Sequence, residues 1–353
     1  MKNDNKIIFI RVDSSTKIGY GHLIRCLALA DILKKYFQIK FICANLHGSL
    51  ISEINKKDFK IFRLNVKMQK INIKGDAEKT FSIIKKHGNE NAMLILDNYA
   101  LSKQWENYIK PYVHKLIVID DQPNRSHNCD LLIDQNPYDN IKKTYDGLIP
   151  KKSKKLLGPK FAMIRNEFKL LRNSVKIRTF PIENMLISFG GTDTDGQSLK
   201  ILNLFHKIGT NLHFDIVIGK GNKNKKSIKN LCLKNKNFSY HEQINYIGKL
   251  ILKADLAIGS SGSTSWERCC LGLPSIISIS ANNQKNIAIQ LSKKKCAINL
   301  GNTKKIKAID YKLSIDNINK HDLERMSKNS LKLVDGDGTR RILKCILGMS
   351  LGN

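Results

Sequence analysis

A histidine and an arginine stand at the start of an expected helix, behind two glycines, in the stretch "KIGYGHLIRCLALADIL". Gly19 and Gly21 permit backbone conformations that other residues avoid, and they let a ligand approach the main chain closely. His22 and Arg25 are neighbours on one helical face, next to the unpaired N–H groups and partial positive charge of the helix N-terminus. An imidazole in this place suits proton transfer beside an anionic ligand, so the stretch indicates a candidate catalytic site.

The spacing of the apolar residues in the same helix leaves a second interpretation open. They form a stripe with helical periodicity: Leu23, Cys26, Leu27, Ala30, Leu33 and Phe37. His22 falls at the border of this stripe, where it can lie at a cleft edge, and Asp13 is the expected partner of its ring. A capped helix with a partly buried histidine fits the spacing equally well. Ile24 replaces the third glycine of a dinucleotide fingerprint, which argues against NAD binding.

A second small-residue turn, in "ADLAIGSSGSTSWERCCLGLP", separates a strand from a helix. Backbone N–H and hydroxyl donors stand there at a helix N-terminus, on Ser260, Ser261, Gly262, Ser263 and Thr264. This pattern is typical of a diphosphate-binding turn without a Walker lysine. Glu267 follows Thr264 by three residues, so it either completes a capping box or accepts hydrogen bonds from the ribose hydroxyls of a nucleotide.

A third turn, in "ISFGGTDTDGQ", follows another expected strand. It places Gly190, Gly191 and Thr192 at the carboxyl end of that strand. The turn either contacts phosphate or simply reverses the chain.

The elements that must position these turns alternate between strand and helix. Six apolar segments of strand length come first: "KIIFIRV", "IKFICAN", "FKIFRL", "AMLILDN", "KLIVIDD" and "CDLLIDQN". A second series follows: "NMLISFG", "HFDIVIG", "FSYHEQI", "ADLAIGS", "PSIISIS" and "CAINLG". Helical patterns separate several members of each series, which predicts an α/β protein with parallel sheets covered on both faces.

The weakly patterned segment near residues 171–182 separates the two series and is interpreted as a linker. We therefore predict two Rossmann-like, doubly wound domains, 1–172 and 173–353, which face a cleft at the carboxyl ends of their strands. The last helix, at about 338–348, follows "VDGDGT" and is free to pack back on either domain.

Composition limits the class of protein further. A chain of 353 residues exceeds one ordinary core and suits two domains. The eight cysteines are scattered through apolar segments without zinc-ligand spacing, as in a cytosolic protein with reduced thiols, and no metal or cofactor is predicted. No apolar run spans a bilayer, and no signal peptide is expected. The net charge of +31 comes from lysines without interleaved aromatic residues, which favours a solvated surface over a nucleic-acid interface.

Several blocks of the sequence together resemble a known family. The blocks are "GYGHLIRCLALADIL", "LDNYALSKQWE", "IDDQPNRSHNCDLLIDQN", "LLGPKFAMIRNEF", "ISFGGTDTDG" and "GSSGSTSWERCCLGLPSIISISANNQ". Over most of residues 6–290 they resemble the UDP-2,4-diacetamido-2,4,6-trideoxy-β-L-altropyranose hydrolases of bacterial pseudaminic acid biosynthesis. The turn with Glu267 is also similar to the nucleotide-sugar site of the peptidoglycan N-acetylglucosaminyltransferase. The resemblance therefore implies a two-domain, glycosyltransferase-B-like enzyme.

The resemblance implies that water displaces UDP at the anomeric carbon with inversion, without an obligatory metal or cofactor. His22 matches the proposed proton acceptor, Arg25 the arginine of the same motif, and Tyr99 a tyrosine that faces the substrate. The residues that match the UDP-binding turn and the loop beyond it are Ser261, Gly262, Ser263, Thr264, Glu267, Asn283 and Gln284. The implied partner is the UDP-linked diacetamido-trideoxy sugar, with no nucleic acid and no integral membrane contact.

Two alternatives remain open at the level of sequence. A glycosyltransferase of the same architecture would use an acceptor hydroxyl in place of water, and a non-catalytic protein would bind the nucleotide sugar without turnover. The chain also departs from the family pattern at Ser260 and Ser261, where glycine or alanine is frequent, and at Gln122, which follows Asp120 and Asp121. Neither departure touches the expected chemistry.

Overall fold

The structure, a computed structural model, describes residues 6–65 and 72–351. The chain divides into two compact units, one formed by the chain up to Arg165 together with the segment from Asp337 onward, and the other by Asn166–Gly336. The division precedes the boundary expected at 172/173, because the helix after Arg165 belongs to the second unit. There the side chain of Phe168 is fully buried, and the side chain of Leu171 lies against Gly248.

The first unit contains a seven-stranded sheet in which all neighbouring strands are parallel. Its strands are β1 Ile7–Val12, β2 Gln38–Ala44, β3 Lys60–Leu64, β4 Met93–Asp97, β5 Lys115–Ile119, β6 Leu131–Asp134 and β7 Lys154–Leu157. The order across the sheet is β3-β2-β1-β4-β5-β6-β7. The sequence did not predict the edge strand β7, because its residues, "KKLL", combine charge with partial exposure and lack an apolar pattern.

Helices cover both faces of this sheet. They are α1 Gly21–Leu33, α2 Ile51–Asn55, α3 Ile73–His87 and α4 Lys103–Ile109, with short 3₁₀ turns at Lys110–Tyr112 and Pro159–Phe161. The C-terminal helix, Gly338–Leu351, also belongs to this unit and buries Ile342 and Ile346 in the same apolar cluster as α1. A Cβ on Gly338 would lie 2.2 Å from the Ala162 carbonyl oxygen, so this close approach of two backbones requires glycine.

The second unit contains a six-stranded sheet, again with all neighbouring strands parallel. Its strands are β8 Asn184–Ser188, β9 His213–Ile218, β10 Phe238–Glu242, β11 Leu256–Ser260, β12 Ser275–Ile279 and β13 Ala297–Asn302. Its helices are α5 Asn166–Leu171, α6 Gln197–Ile208, α7 Lys225–Leu233, α8 Ile247–Lys253, α9 Thr264–Cys270, α10 Lys285–Lys293, α11 Ala308–Asp316 and α12 Lys320–Leu333, with 3₁₀ turns at Arg172–Ser174 and Asn282–Gln284. The order β10-β9-β8-β11-β12-β13 is the Rossmann order 3-2-1-4-5-6.

Each unit is therefore Rossmann-like, as predicted from the two series of apolar strands. In the part of the chain that the structure describes, no helix is both long and apolar enough to cross a membrane. The same part contains no group of three or more His, Cys, Asp or Glu side chains arranged to hold a metal ion. All eight cysteines are free thiols, and seven of them are buried.

Candidate active site

In the first unit the site lies at the carboxyl ends of β1 and β4, the neighbours at which the strand order reverses. Open α/β sheets bind ligands at such positions. After β1 the chain forms a turn in which the Gly19 N–H donates to the Ser15 carbonyl at 2.8 Å, and it enters α1 at Gly21. Gly19 has φ +90°, a conformation that favours glycine. This turn places His22 in the first turn of α1.

His22 is paired with Asp97, the last residue of β4. The two side chains are buried, and His22 Nδ1 lies 2.6 Å from Asp97 Oδ1. Burial opposes ionisation of Asp97, but Arg25 and His22 outweigh it and hold the pKa of the Asp97 carboxyl well below its usual range. An ionised carboxylate only accepts hydrogen bonds, so Nδ1 carries the ring proton and Nε2 has the lone pair. This is the arrangement of a general base oriented by a carboxylate.

Arg25 lies behind this pair and joins two carboxylates. Its Nε and Nη2 donate to Asp97 Oδ2 and Oδ1, each at 2.6 Å, and its Nη1 donates to Asp121 Oδ2 at 2.7 Å. The side chain is 4% exposed and does not line the cavity described below. The sequence places Arg25 among the substrate-binding residues, whereas the structure shows it bonded to Asp97, which orients His22, and to Asp121, which receives Tyr99.

The expectation that Asp13 bonds the His22 ring is wrong. Asp13 Oδ1 accepts from Arg11 Nη1 at 2.5 Å and from the Ala44 N–H at 2.7 Å. Its Oδ2 accepts from Arg11 Nη2 at 2.9 Å and from Asn98 Nδ2 at 2.8 Å. With both oxygens occupied by donors, Asp13 anchors the end of β1.

Strand alternation explains why Asp97 replaces Asp13. Successive side chains of a strand point to opposite faces of the sheet. In β4, Met93 and Ile95 belong to the apolar cluster beneath α1, so Asp97 lies on the same face. In β1, Arg11 bonds Asp76 of α3 on the other face, and Asp13 shares that face with Arg11. Helix α1 covers the face on which Asp97 lies, so His22 of α1 meets Asp97 of β4 and not Asp13.

Tyr99 completes the group around His22. Its phenol donates to Asp121 Oδ1, and its ring meets the His22 ring edge-on, with centroids 4.4 Å apart and planes at 85°. The Arg125 guanidinium carbon lies 5.6 Å from the centre of the Tyr99 ring. Asp121 therefore receives both Arg25 and Tyr99, and it ties the tyrosine to the carboxylate network of the histidine.

A cavity of about 360 Å³ opens beside these residues. Its polar lining includes His22, Tyr99, Asp97, Asp13, Asp76, Asn98 and Lys17. Its apolar lining includes Ile18, Ala44, Leu46, Ala100 and Leu101. The volume and the mixed lining suit a small polar ligand that carries apolar substituents.

In the second unit the predicted diphosphate turn follows β11, which pairs with β8 where the strand order reverses. Ser261 differs from its predicted role. Its N–H donates to the Ser278 carbonyl at 3.0 Å, and its hydroxyl donates to the same carbonyl at 3.1 Å or to the Gln284 carbonyl at 3.3 Å. Ser261 is fully buried because it lies beside β12, so it anchors the turn instead of offering a donor.

The next three residues keep the donors that the sequence predicted. Within the described ranges, the N–H groups of Gly262, Ser263 and Thr264 have no hydrogen-bond acceptor. Ser263 is the N-cap of α9 but makes no side-chain cap bond, and the buried Thr264 hydroxyl also has no described partner. Thr264 is thus the first helical residue and not the cap, so the capping-box interpretation of Glu267 fails. The turn presents a set of open donors at a helix N-terminus.

Three residues surround this turn. Glu267, in the first turn of α9, is 6% exposed. A Cβ on Gly262 would lie 3.6 Å from Gln284 Nε2, so Gln284, at the end of the turn Asn282–Gln284, borders Gly262. Arg268, which sequence reasoning missed, is buried behind the turn and donates from Nη2 to the Ser260 carbonyl at 2.8 Å. Burial lowers the pKa of Arg268 to about 10.

The turn after β8 has two parts with different roles. Gly190 has φ +78°, and the Gly191 carbonyl accepts from the Gly221 N–H at 3.0 Å, which joins the ends of β8 and β9. Asp193 then caps α6, because its two carboxylate oxygens accept from the Gln197 and Ser198 N–H groups, each at 2.9 Å. This cap takes the Gln197 and Ser198 N–H groups at the N-terminus of α6, so these two donors are not available to a phosphate.

Sequence reasoning missed Asp97 as a functional residue, together with Asp121 and Arg125. A usable signal exists for the two carboxylates. Asp97 ends "MLILD" and Asp121 ends "LIVIDD", and each is an even number of residues from the strand positions buried beneath α1. No such signal marks Arg125, which lies in a loop.

Two Rossmann-like units in one chain define the class, which is the glycosyltransferase-B fold. Solved structures share it over the whole chain. MurG of Acinetobacter baumannii has a TM-score of 0.66 and 13% identity, covering 97% of this chain and 99% of MurG. A UDP-glucosyltransferase of Polygonum tinctorium has a TM-score of 0.68 and 10% identity, covering 100% of each chain. Residues 191–341 match the family model of the glycosyltransferase family 28 C-terminal domain.

The sequence is also similar to a known enzyme over most of its length. The chain is 29% identical over 290 residues to the UDP-2,4-diacetamido-2,4,6-trideoxy-beta-L-altropyranose hydrolase of Campylobacter jejuni, covering 82% of this chain and 97% of that hydrolase. The resemblance inferred from the sequence blocks is therefore confirmed.

Proposed function

We propose that this protein hydrolyses UDP-2,4-diacetamido-2,4,6-trideoxy-β-L-altropyranose to UDP and the free sugar, as a step of pseudaminic acid biosynthesis. Similarity to the Campylobacter jejuni hydrolase over 97% of that protein supports the reaction. The first unit supplies the catalytic groups, and the second unit binds UDP through the turns at 190–192 and 262–267. Neither role requires a metal or cofactor.

The observation that carries the proposal is the His22–Asp97 pair beside the cavity, at 2.6 Å. His22 Nε2 takes a proton from a water molecule while the water oxygen attacks the anomeric carbon. The bond from that carbon to the β-phosphate oxygen breaks, and its electron pair leaves with UDP. Asp97 stays ionised and stabilises the imidazolium that forms. A base on the face opposite UDP directs water to that face, so the sugar configuration inverts.

The first test is UDP release from a panel of UDP-linked sugars by the wild type and by His22→Asn. We expect the diacetamido-trideoxy sugar nucleotide to be cleaved, and the variant to lose about 10²–10⁴-fold in kcat while it keeps its fold and its binding of UDP. His206→Asn, at an exposed histidine of the second unit, is the matched control. Equal kcat in His22→Asn and the control contradicts the role of His22.

The position of bond cleavage needs a second measurement. The reaction is run in ¹⁸O-labelled water, and both products are read by mass spectrometry, with NMR of the fresh sugar. Label in the sugar with inverted configuration supports the mechanism. Label in UDP indicates attack at phosphorus, and retention indicates a carboxylate nucleophile; either result overturns it.

A glycosyltransferase is the second candidate, because residues 191–341 match a glycosyltransferase domain. In that case water is replaced by an acceptor hydroxyl. UDP release that starts only when an acceptor sugar is added identifies this function. UDP-sugar binding without release under either condition identifies a non-catalytic binding protein.

A further inference from the structure

A second histidine lies buried outside the cavity, between two carboxylates. His127 Nδ1 is 2.6 Å from Glu106 Oε1 of α4, and His127 Nε2 is 2.6 Å from Asp120 Oδ2. All three residues are at most 1% exposed. Both ring nitrogens face oxygens that accept, so the two hydrogen bonds exist together only when the ring is a doubly protonated imidazolium. The cavity residues do not include any of the three.

This cluster continues to Tyr99 through Arg125. Asp120 Oδ2, which receives His127, also accepts from Arg125 Nε at 2.8 Å. The other end of Arg125 donates from Nη1 to the Tyr99 carbonyl, and its guanidinium lies over the Tyr99 ring. Two carboxylates and two cations balance in charge along the series Glu106, His127, Asp120 and Arg125. The series thus fixes the backbone and the ring face of a residue whose ring touches His22.

We propose that His127 and Arg125 are positioning residues that hold Tyr99 against the ring of His22: Arg125 contacts Tyr99 directly, and His127 acts through Asp120 and Arg125. The catalytic meaning of this contact rests on the proposed function of His22. Asp121 fixes the Tyr99 hydroxyl, whereas Arg125 fixes its main chain and ring face. Both attachments are needed to define the ring orientation, because a phenol held at one end alone can swing about that end.

The network also predicts a pH dependence. Burial opposes protonation of His127, but its hydrogen bonds to Asp120 and Glu106 raise its pKa to about 9. The charged groups that face the ring are Glu106 from α4, and Asp120 with Arg125 from the loop after β5. The nearby thiol of Cys129 and phenol of Tyr145 stay neutral, since burial raises the pKa of both. Loss of the His127 proton leaves a lone pair facing a carboxylate at hydrogen-bond distance, and the two groups must separate.

The experiment compares His127→Gln and Arg125→Lys with the wild type. The matched control is His241→Gln, which removes another histidine–carboxylate pair, to Asp215 in the second unit. We expect both test variants to lose about 10- to 100-fold in kcat, since small displacements at a reacting centre have effects of this size. UDP affinity stays unchanged. The fall in wild-type kcat near pH 9 is absent in His127→Gln, because glutamine does not titrate.

NMR of the His22 ring protons provides a readout independent of activity. The edge-on Tyr99 ring shifts these signals in the wild type, and Tyr99→Leu defines the shift without it. Signals in either test variant that move toward the Tyr99→Leu position support the inference, and signals that stay at the wild-type position in both overturn it. Failure of wild-type protein to release UDP rejects the proposed function, while the NMR result still decides whether Tyr99 is positioned. If the His127 variant does not fold, Arg125→Lys still tests the inference, because Arg125 is partly exposed and its replacement disturbs the core less.

Discussion

At the scale of single residues, one carboxylate serves both the base and its supporting arginine. Asp97 accepts from His22 Nδ1 and from two nitrogens of Arg25. This arrangement keeps the carboxylate ionised, holds the imidazole in one tautomer, and leaves Nε2 as the nitrogen that can take a proton. The proposed role of His22 as a base therefore requires Asp97 as well.

We predict that Asp97→Asn lowers kcat by about 10²–10⁴-fold, because an amide no longer fixes the tautomer of His22. The same change destabilises the fold by up to about 3–5 kcal/mol, since the buried Arg25 loses one of its two counter-ions. Steady-state kinetics and a chemical denaturation curve measure the two effects. Asp31→Asn, at a half-buried residue paired with Lys34 and Lys57, is the control. Full activity in folded Asp97→Asn argues against the base assignment.

A second prediction concerns Glu267. If its carboxylate accepts from a ribose, Glu267→Gln weakens UDP binding by about tenfold or more, since hydrogen bonds to a charged group contribute roughly 1.5–3 kcal/mol. The N-cap of α9 is Ser263, so Glu267 is not the third helical residue that a capping box requires. Titration calorimetry with UDP gives the affinity, and Glu242→Gln, at an exposed pair with Lys225, is the control. Equal UDP affinity in both variants excludes the ribose role.

At the scale of elements, the ends of β8 and β9 approach so closely that only glycine fits. A Cβ on Gly219 would lie 2.4 Å from the Gly191 Cα and 2.5 Å from its carbonyl oxygen. These are backbone atoms, which cannot rotate away as a flexible side chain can. The packing of two strand ends therefore fixes the turn that is proposed to meet phosphate.

We predict that Gly219→Ala destabilises the second unit by about 1–3 kcal/mol through overpacking, and that it weakens UDP binding by displacing Gly191. Gly348→Ala is the matched control. Gly348 is exposed in the C-terminal helix, and no described atom outside its own helix lies within 4 Å of its built Cβ. This change is expected to stabilise by about 0.5–1 kcal/mol, because alanine favours a helix over glycine. Thermal melts and UDP titration measure both variants; equal melting temperatures would refute the packing argument.

At the scale of the whole molecule, two buried titratable groups in the first unit are expected to make the free energy of unfolding fall as the pH rises. His127 has its pKa raised to about 9 by Asp120 and Glu106, against the opposing effect of burial. Burial, followed by the nearby Asp121, raises the pKa of Asp134 to about 8. The Tyr138 and Tyr145 phenols reach Asp134 Oδ2 at 2.7 and 2.8 Å, and each also reaches a backbone carbonyl. A protonated Asp134 donates to one phenol oxygen, so that this phenol keeps its own hydrogen for its backbone carbonyl.

We predict that the free energy of unfolding falls as pH rises from about 4 to 9, with Asp134 contributing from about 4 to 8 and His127 from about 6.5 to 9. The stabilisation from protonated His127 is complete below the unfolded pKa of about 6.5 and is lost as pH rises through 9. That from neutral Asp134 is complete below about 3.9 and is lost as pH rises through 8. Each unit of pKa difference corresponds to about 1.4 kcal/mol. Denaturation curves across this range provide the test.

Asp134→Asn and His127→Gln sharpen this test. Both replacements remove a group that titrates, so each is expected to flatten the pH dependence of stability, and Asp134→Asn keeps a neutral side chain of similar shape. Tyr246→Phe, at an exposed tyrosine, leaves the dependence unchanged. A wild-type stability that is constant between these pH values shows that neither group is perturbed.

The sequence by itself determined the class of fold and the place of each turn. Twelve of the thirteen strands fall on segments that the sequence predicted as strands, most of them apolar, and glycine pairs mark the turns at 19–21 and 190–191. These signals are local, because burial on both faces selects apolar residues and a left-handed turn selects glycine. The edge strand β7 was not predicted, because a strand at the edge of a sheet is less buried and its residues need not be apolar.

Only the tertiary structure decided which residues meet. His22 bonds Asp97, 75 positions away, and not the nearer Asp13, because α1 covers one face of the sheet and alternation puts Asp13 on the other. In the same way, Ser261 turned out to anchor its turn, since the parallel neighbour β12 buries it. The register of parallel strands and the face covered by a helix are set by contacts distant in sequence, so no local pattern contains them.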